Sequence, residues 1–235
     1  MYALLAVVGA IIYSLLVALL LNMKIWGRTL FRSVFFIPYL LPAIGVYKGW
    51  QWLYEGNFGL FNFVLRMVGL KPQRFLDSPS QVVPSLVVIA IWTSGNLIVV
   101  FLAGLQNVPR VYMEAAEIDG ANAWPKFRYI MLPSIKSVIV LNMILSISGS
   151  LSAFEPPYVI TGGTFGTATY FVMMNSLAHE KGKIGLAAAM AVVLMGLIFI
   201  VTIFQQVIMK LIDEDAREER RNRKIQKQIR KQGIK

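Results

Sequence analysis

The residues of this chain that could do chemistry are few, and their types exclude most forms of catalysis. The sequence has no cysteine and one histidine, His179, which argues against disulfides, thiol nucleophiles and histidine-rich metal sites. No Gly-x-x-x-x-Gly-Lys-Ser/Thr loop occurs, so we expect that the chain binds no cofactor and does not hydrolyse ATP itself. What remains are amides, hydroxyls and aromatic rings within apolar stretches. Such groups can bind a polar solute without breaking its bonds.

Four of these side chains are candidates for lining a path for such a solute: Asn96, Asn142, Ser146 and Tyr158. For the two asparagines, packing and solute contact are equally open, because a buried amide is costly without a partner. Serine is common where helices pack closely, so packing is the stronger alternative for Ser146. The carboxylate of Glu155 lies beside two prolines, which favours a structural role over a proton relay.

The elements that must position these side chains are predicted to be membrane-spanning helices. Of the 235 residues, 57% are hydrophobic and 15% charged, and the mean hydropathy is +0.62. An average soluble domain has about 25% charged residues. A helix of about 20 apolar residues crosses a bilayer, and five stretches qualify: residues 3–22, 31–53, 83–105, 137–158 and 184–208. We therefore expect an all-α polytopic transmembrane bundle over residues 1–208.

The distribution of positive charge predicts the orientation of these spans. If five spans alternate, loops 23–33 and 106–136 and the tail 209–235 share one side and carry 17 lysines and arginines, against 5 in loops 54–82 and 159–183. Positive residues collect on the cytoplasmic side, so the N-terminus is predicted outside and the C-terminus inside. The first stretch is not typical of a signal peptide, because its charges follow the apolar run.

The net charge of +11 could indicate a nucleic-acid-binding protein, but the composition of the basic tail favours anionic lipid as the partner. Residues 209–235 hold 10 lysines and arginines and 5 acidic residues, and no aromatic residue follows Phe204. Stacking groups for nucleic acid are therefore missing there. We expect a helix that leaves the membrane and faces anionic lipid.

Loop 106–136 is predicted to form two short helices joined at a corner. A helical stretch runs over 112–119, and Gly120 permits the backbone to turn. Asn122 is a candidate cap for the second helix, which has Pro125 in its first turn. Apolar residues from Phe127 onward recur at helical spacing. The loop could dock on a cytoplasmic partner or lie on the lipid surface.

The residues of this loop resemble the EAA loop of permease subunits from ATP-binding-cassette importers. The resemblance lies in their order: Glu114–Ala115–Ala116, three residues, Gly120, nine residues, Ile130, one residue, Leu132–Pro133. The carbohydrate-uptake branch of maltose type is also similar at further positions: Asp119, Ala121, Trp124, Phe127, Arg28–Thr29–Leu30–Phe31–Arg32, Gly59–Leu60–Phe61–Asn62 and Thr161–Gly162–Gly163.

The resemblance implies a type I importer permease in the cytoplasmic membrane of a prokaryote, carrying a sugar or oligosaccharide. It implies a second permease subunit, two ATPase subunits that bind ATP and magnesium, and an extracytoplasmic substrate-binding protein. The coupling residues it implies are Glu114, Ala115, Ala116, Asp119, Gly120, Ala121, Phe127, Leu132 and Pro133. Their role would be to hold a short helix against the ATPase.

Two departures and several alternatives accompany this resemblance. Such permeases usually have at least six spans, so we expect that one N-terminal span is missing, by truncation, alternative start or loss. Thr164–Phe165 stands where Gly-Pro is common, which weakens the expected binding-protein contact there. The alternative substrates are an amino acid, a peptide or a phosphorylated polyol. A gradient-driven carrier and a non-transporting scaffold are the alternatives from other classes.

Overall fold

The protein is built from helices, as the sequence predicts. The computed structural model describes residues 2–23, 26–151 and 153–231, with side chains to Leu211 except that of Leu151. These residues contain no strand. The α-helices are α1 (Tyr2–Asn22), α2 (Arg28–Leu40), α3 (Ala43–Leu53), α4 (Leu60–Met67), α5 (Val82–Trp92), α6 (Gly95–Gln106), α7 (Arg110–Ile118), α8 (Ala123–Lys126), α9 (Leu132–Ser134), α10 (Lys136–Leu151), α11 (Tyr170–Asn175) and α12 (Ile184–Lys231). Wider π-helical turns occupy Phe127–Met131, Pro157–Thr161 and Ser176–Glu180.

In the described part of the chain, two single helices are apolar and long enough to cross a bilayer. These are α1, with 21 residues, and the first 28 residues of α12, Ile184–Leu211. At 1.5 Å per residue, α1 is about 31 Å long, which matches the hydrocarbon thickness. Helix α12 continues to Lys231, so the membrane helix and the start of the predicted tail form one element. The side chains of residues 212–235 lie outside the described part.

The other three predicted spans are not straight helices. The stretch 31–53 contains α2 and α3, which meet at 97°, and the stretch 83–105 contains α5 and α6, which meet at 48°. In the stretch 137–158, α10 ends at Leu151, before the end of the predicted span. The third bend lies just before this stretch, where Lys136–Ser150 follows the segment Ala123–Ser134 at 67°. Counting each bent pair as one crossing gives five spans. The membrane boundaries drawn from the sequence stay predictions.

Local interactions explain the break between α2 and α3 and the break between α5 and α6. Leu41 precedes a proline and has an extended conformation with ψ 148°, because the proline ring disfavours helical geometry before it. At the second break, the Thr93 hydroxyl donates to the carbonyl of Ile89 at 3.0 Å and the Ser94 hydroxyl to that of Ile91 at 2.6 Å. Such bonds back onto the preceding turn favour a bend.

Helix α1 lies at the centre of the bundle and packs on α5, α6 and α10. Its buried face has small side chains one turn apart, Ala6, Ala10, Ser14 and Ala18, which let neighbouring helices approach closely. Further along, Val17 and Leu21 join Phe101 of α6 and Ile135 in one buried cluster. Helix α12 is peripheral, since only 11% of its apolar window is buried.

A hydrogen-bonded amide organises the loop between α3 and α5. The Asn62 side chain is fully buried. Its Nδ2 donates to the carbonyls of Gly56 at 3.0 Å and Gln73 at 2.9 Å, and its Oδ1 accepts from the Gln73 amide at 2.8 Å. Nearby, the Glu55 carboxylate accepts from the backbone amides of Phe58 at 2.7 Å and Asn57 at 2.6 Å. These bonds lower the pKa of Glu55 below its ordinary value.

Candidate functional site

The first half of loop 106–136 folds as the sequence predicts, into a short helix with a glycine corner. Helix α7 ends at Ile118, and Gly120 has φ 72°. The Ala121 amide donates to the Ala116 carbonyl at 2.8 Å, and the Gly120 amide donates to that of Glu117 at 3.0 Å. This pair of bonds is a Schellman motif, which requires a left-handed residue at the position of Gly120.

The second half differs from the prediction in two details. Asn122 occupies the residue before α8, but its side chain makes no capping hydrogen bond. The stretch expected to be an α-helix from Phe127 is a π-helical turn that leads into α9. Pro133 has no amide hydrogen and its ring crowds the carbonyl four residues earlier, so a wider turn before it relieves the clash.

An ion pair joins the two arms of the corner. Nζ of Lys126 lies 2.9 Å from Oε1 of Glu117, nine residues earlier in the sequence. The carboxylate is largely exposed, with 64% of the side chain accessible. Such a surface pair contributes about 0–1 kcal/mol, so the glycine corner, more than the ion pair, determines the angle between the arms.

The loop presents apolar side chains that nothing in the described chain covers. Neither α7 nor α8 has a buried residue. Val111 is 70% exposed, Ile118 87%, Trp124 69% and Tyr129 76%. The nine residues predicted to couple lie along this same segment, all of them exposed or half-buried. Large exposed apolar groups close together are typical of a protein or membrane contact.

A cavity of about 590 Å³ lies among the helices and borders both helix breaks. Leu41 lines it from the break between α2 and α3, and Thr93 and Ser94 line it from the break between α5 and α6. Two of the four predicted path residues, Asn96 and Ser146, also line it. Interrupted helices expose backbone polar groups to a cavity at membrane depth, which is where transporters commonly bind their solutes.

The other two predicted path residues lie elsewhere. Asn142 is fully buried, and its Nδ2 donates to the Leu97 carbonyl of α6 at 3.3 Å. Tyr158 stacks on Phe154 with ring centroids 4.7 Å apart and is 41% exposed. Neither residue lines the cavity. The geometry therefore places Asn142 at a helix contact, and a direct solute contact for either residue stays a prediction.

Sequence reasoning missed several residues of the cavity wall. Tyr2, Tyr39 and Tyr47 line it, and so does Phe171. The only signal for Tyr39 was its position just before the Leu-Leu-Pro break. The others come from distant parts of the chain, and no spacing in the sequence brings them together.

Close packing determines the shape of this cavity wall. The hydroxyls of Ser14 and Ser94 lie 3.0 Å apart and join α1 to the break before α6. A Cβ at Gly95 would lie 3.0 Å from the Phe35 carbonyl oxygen and 3.1 Å from Cβ of Tyr39. Because α2 and α6 approach closely at this point, a side chain at position 95 would require α2 to shift by a few tenths of an ångström.

The described residues contain no candidate metal centre. No group of three or more aspartate, glutamate, histidine or cysteine side chains there could hold a metal. His179 is on a short helical turn, with Nδ1 3.2 Å from the Asn175 carbonyl. Glu155 is the one carboxylate among the described residues lining the cavity, which include no lysine or arginine.

Comparison with known proteins agrees with this architecture. Residues 8–214 match the family model described as binding-protein-dependent transport system inner membrane component. The chain is 33% identical over 194 residues to the trehalose/maltose transport system permease protein MalF of Thermococcus litoralis, covering 82% of this chain and 66% of that protein. It is 36% identical over 197 residues to the arabinooligosaccharides transport system permease protein AraP of Bacillus subtilis, covering 80% and 62%.

The fold is also similar to that of a solved importer. A chain of a bacterial ABC transporter involved in the import of the acidic polysaccharide alginate superposes with a TM-score of 0.80 at 20% identity, covering 90% of this chain and 77% of that chain. The chain spans about two thirds of the length of the curated relatives described above. The family match covers most of the sequence, and the chain belongs to the family of binding-protein-dependent transport system inner membrane components.

Proposed function

We propose that this chain is a transmembrane permease subunit of an ATP-driven, binding-protein-dependent importer for a neutral sugar or oligosaccharide. The observation that carries the proposal is the exposed helix pair of loop 106–136, which has the residue order of an EAA loop and an uncovered apolar surface. The family match over residues 8–214 supports the same role. The partners would be a second permease subunit, two ATPase subunits with ATP and magnesium, and an extracytoplasmic substrate-binding protein.

The proposed coupling is mechanical. When ATP closes the ATPase pair, the groove that holds α7 moves, and the loop passes that movement to the spans. Two features of the loop suit it to transmit force. The Schellman motif and the Lys126–Glu117 pair connect the two arms, and Ile135, directly after α9, is fully buried in the α1–α6 cluster. The second arm therefore ends in the core of the bundle.

The cavity would be half of the path for the solute. Its polar groups can form the hydrogen bonds that a sugar needs, and they belong to Thr93, Ser94, Asn96 and Ser146. Its tyrosines and phenylalanines offer faces for pyranose rings. A lining with one carboxylate and no cation fits a neutral solute better than an acidic one. Relatives named for trehalose, maltose and arabinooligosaccharides support a sugar or oligosaccharide as the solute.

Positive charge supports the proposed orientation, with loop 106–136 and the C-terminus in the cytoplasm. That side carries 17 of the lysines and arginines outside the spans, and the cytoplasmic side is normally the more positive. Chemical labelling of a cysteine introduced at Ala168, in the loop before α11, tests it. We expect labelling from outside the cell. If the cysteine were labelled only from the cytoplasm, the proposed orientation would be wrong.

Capture of an ATPase by the affinity-tagged chain tests the coupling. Ala115 is exposed on α7, so Ala115→Phe should fold normally and reduce the ATPase subunits recovered with the chain by about tenfold, the effect of roughly 1.4 kcal/mol at an interface. Ala168→Phe introduces the same side chain at an exposed alanine on the opposite side of the membrane and should leave recovery unchanged.

The same preparation separates an ATP-driven importer from a gradient-driven carrier. Vesicles containing the full assembly should accumulate substrate only with ATP and the binding protein, and neutral oligosaccharides should compete better than uronate-containing ones. Accumulation that survives ATP depletion but stops when the proton gradient collapses would refute the proposed mechanism. Equal competition by the acidic oligosaccharides would refute the preference for a neutral solute.

A further inference from the structure

Two arginines of α2 converge on one side chain at the end of α6. With the Gln106 amide oriented to satisfy its neighbours, its Oε1 accepts from Nη2 of Arg32 at 2.6 Å and from Nη2 of Arg28 at 3.2 Å. Gln106 is the last residue of α6, so this cluster lies where loop 106–136 begins. We call Arg28 and Arg32 the arginine pair.

Within the described part of the chain, no acidic side chain balances the positive charge of the arginine pair. Among the described residues, no carboxylate oxygen lies within 4.0 Å of either guanidinium, since the ion pair found there is that of Lys126 and Glu117. The Nε atoms of both arginines are shielded from solvent and have no hydrogen-bond partner. Two cations that share one neutral oxygen and are partly withdrawn from water form an unfavourable arrangement, which an anion with several oxygens would relieve.

The surroundings of the pair identify the kind of anion. Trp26 is 97% exposed just before α2, and Leu30 on the next turn is 67% exposed. Tryptophan beside basic residues at the end of an apolar helix is typical of the membrane–water interface. A free anion would meet water at such a place, whereas a lipid would offer its phosphate to the guanidiniums and its acyl chains to the apolar side chains.

We propose that Arg28 and Arg32 bind the phosphodiester of an anionic phospholipid in the leaflet that faces loop 106–136. The guanidinium forks donate to the phosphate oxygens, as arginine does in planar, two-bond recognition. The lipid then bridges α2 and α6 beside the start of the loop. The site is separate from the cavity, whose lining includes neither arginine.

Lipid retention by the full chain, measured by native mass spectrometry, tests this site. The chain is purified in mild detergent and exposed to phosphatidylglycerol or phosphatidylethanolamine with identical acyl chains. We expect one phosphatidylglycerol retained per chain at detergent concentrations that remove phosphatidylethanolamine. This comparison uses the unaltered protein, so it does not depend on how any variant folds.

Two matched double variants locate the binding. Arg28→Gln with Arg32→Gln should lower phosphatidylglycerol retention by about tenfold, the loss expected from charge-assisted hydrogen bonds. Lys181→Gln with Lys183→Gln removes the same charge at two exposed positions before α12 and should not change retention. Replacing both arginines by lysine should give intermediate retention, because the charge stays and the fork is lost.

Three results would overturn the proposal. One is equal retention of the two lipids by the unaltered chain. Another is equal phosphatidylglycerol retention by the arginine-to-glutamine and lysine-to-glutamine variants. The third is displacement of the lipid by millimolar inorganic phosphate or glycerol phosphate, which would assign the pair to a free anion. Failure here leaves the proposed transport function untouched, because ATPase capture and substrate uptake measure that separately.

Discussion

Replacing Gly120 by alanine tests whether the glycine corner determines the shape of the coupling loop. Gly120 has φ 72°, and a Cβ built there meets no atom within 4 Å. The substitution therefore adds no clash, and its cost is that of holding a residue with a side chain in the left-handed region. This cost is about 1–2 kcal/mol. Asparagine tolerates that region better than alanine, so Gly120→Asn is the matched control with a larger side chain.

The free-energy cost of the Gly120 substitutions can be measured from the hydrogen bonds of the corner. The Ala121 amide is protected by its bond to the Ala116 carbonyl at 2.8 Å. A corner weakened by about 1–2 kcal/mol should open roughly 5 to 30 times more often, and hydrogen exchange of this amide should accelerate by that factor. Gly120→Asn should accelerate it less. Gly120→Pro should abolish the corner, because proline keeps φ near −65° and has no amide to donate to Glu117.

The same variants should affect binding of the ATPase in the same order. If the bent loop is the form that docks, the apparent affinity for the ATPase is proportional to the fraction of chains whose loop is bent. A variant that lowers this fraction lowers the affinity by the same factor. We expect ATPase recovery to decrease from the unaltered chain through Asn and Ala to Pro, with normal membrane insertion throughout. Normal assembly and transport in Gly120→Pro would contradict the assignment of this corner to coupling. Full ATPase binding by Gly120→Ala but not by Gly120→Asn would show that side-chain size, and not backbone conformation, matters at position 120.

Three further predictions concern the loop outside the coupling segment, the contact between α2 and α6, and pH. Asn62→Ala should destabilise the loop between α3 and α5 by roughly 2–4 kcal/mol, because it breaks several short buried hydrogen bonds. Limited proteolysis of that loop measures the destabilisation. The control Asn57→Ala truncates an exposed amide and should change protease sensitivity little. Gly95→Ala should lower the thermal stability of the assembled permease, since overpacking costs about 1–3 kcal/mol, whereas Gly45→Ala, at a position with open space, should not. Backbone hydrogen bonds lower the pKa of Glu55, so its carboxylate stabilises the loop at pH values above the ordinary pKa of 4.5. This stabilisation is lost as the pH falls from 4.5 through the lowered pKa. Protection of the loop amides should therefore decrease in acid, and Glu55→Gln should remove that part of the pH dependence.

Each of these three predictions has a result that contradicts it. Equal protease sensitivity of the two asparagine variants would show that Asn62 does not organise the loop. Equal stability of the two glycine variants would show that α2 can move away from α6 at little cost. An acid transition of the same size in Glu55→Gln would assign the pH dependence to another group.

The sequence by itself determined the properties that depend on local composition and order. Charge-free stretches of the right length predicted the apolar helices, because each helix satisfies its own backbone hydrogen bonds in a membrane. The glycine corner was predictable as well, since Gly120 follows a short run of good helix formers. The order of residues from Glu114 to Pro133 carried the family resemblance that the comparison with known proteins confirmed.

Only the tertiary structure decided which polar residues share a surface. Asn96 and Asn142 are equivalent by sequence, yet Asn96 lines the cavity and Asn142 donates to the α6 backbone, because the side of a helix that a residue occupies depends on its neighbours. The similar apolarity of all faces in a membrane helix removes the periodic signal that would distinguish them. The position of the cavity likewise follows from two breaks, at Leu41 and at Ser94, that are far apart in the chain and adjacent only after α2 packs on α6.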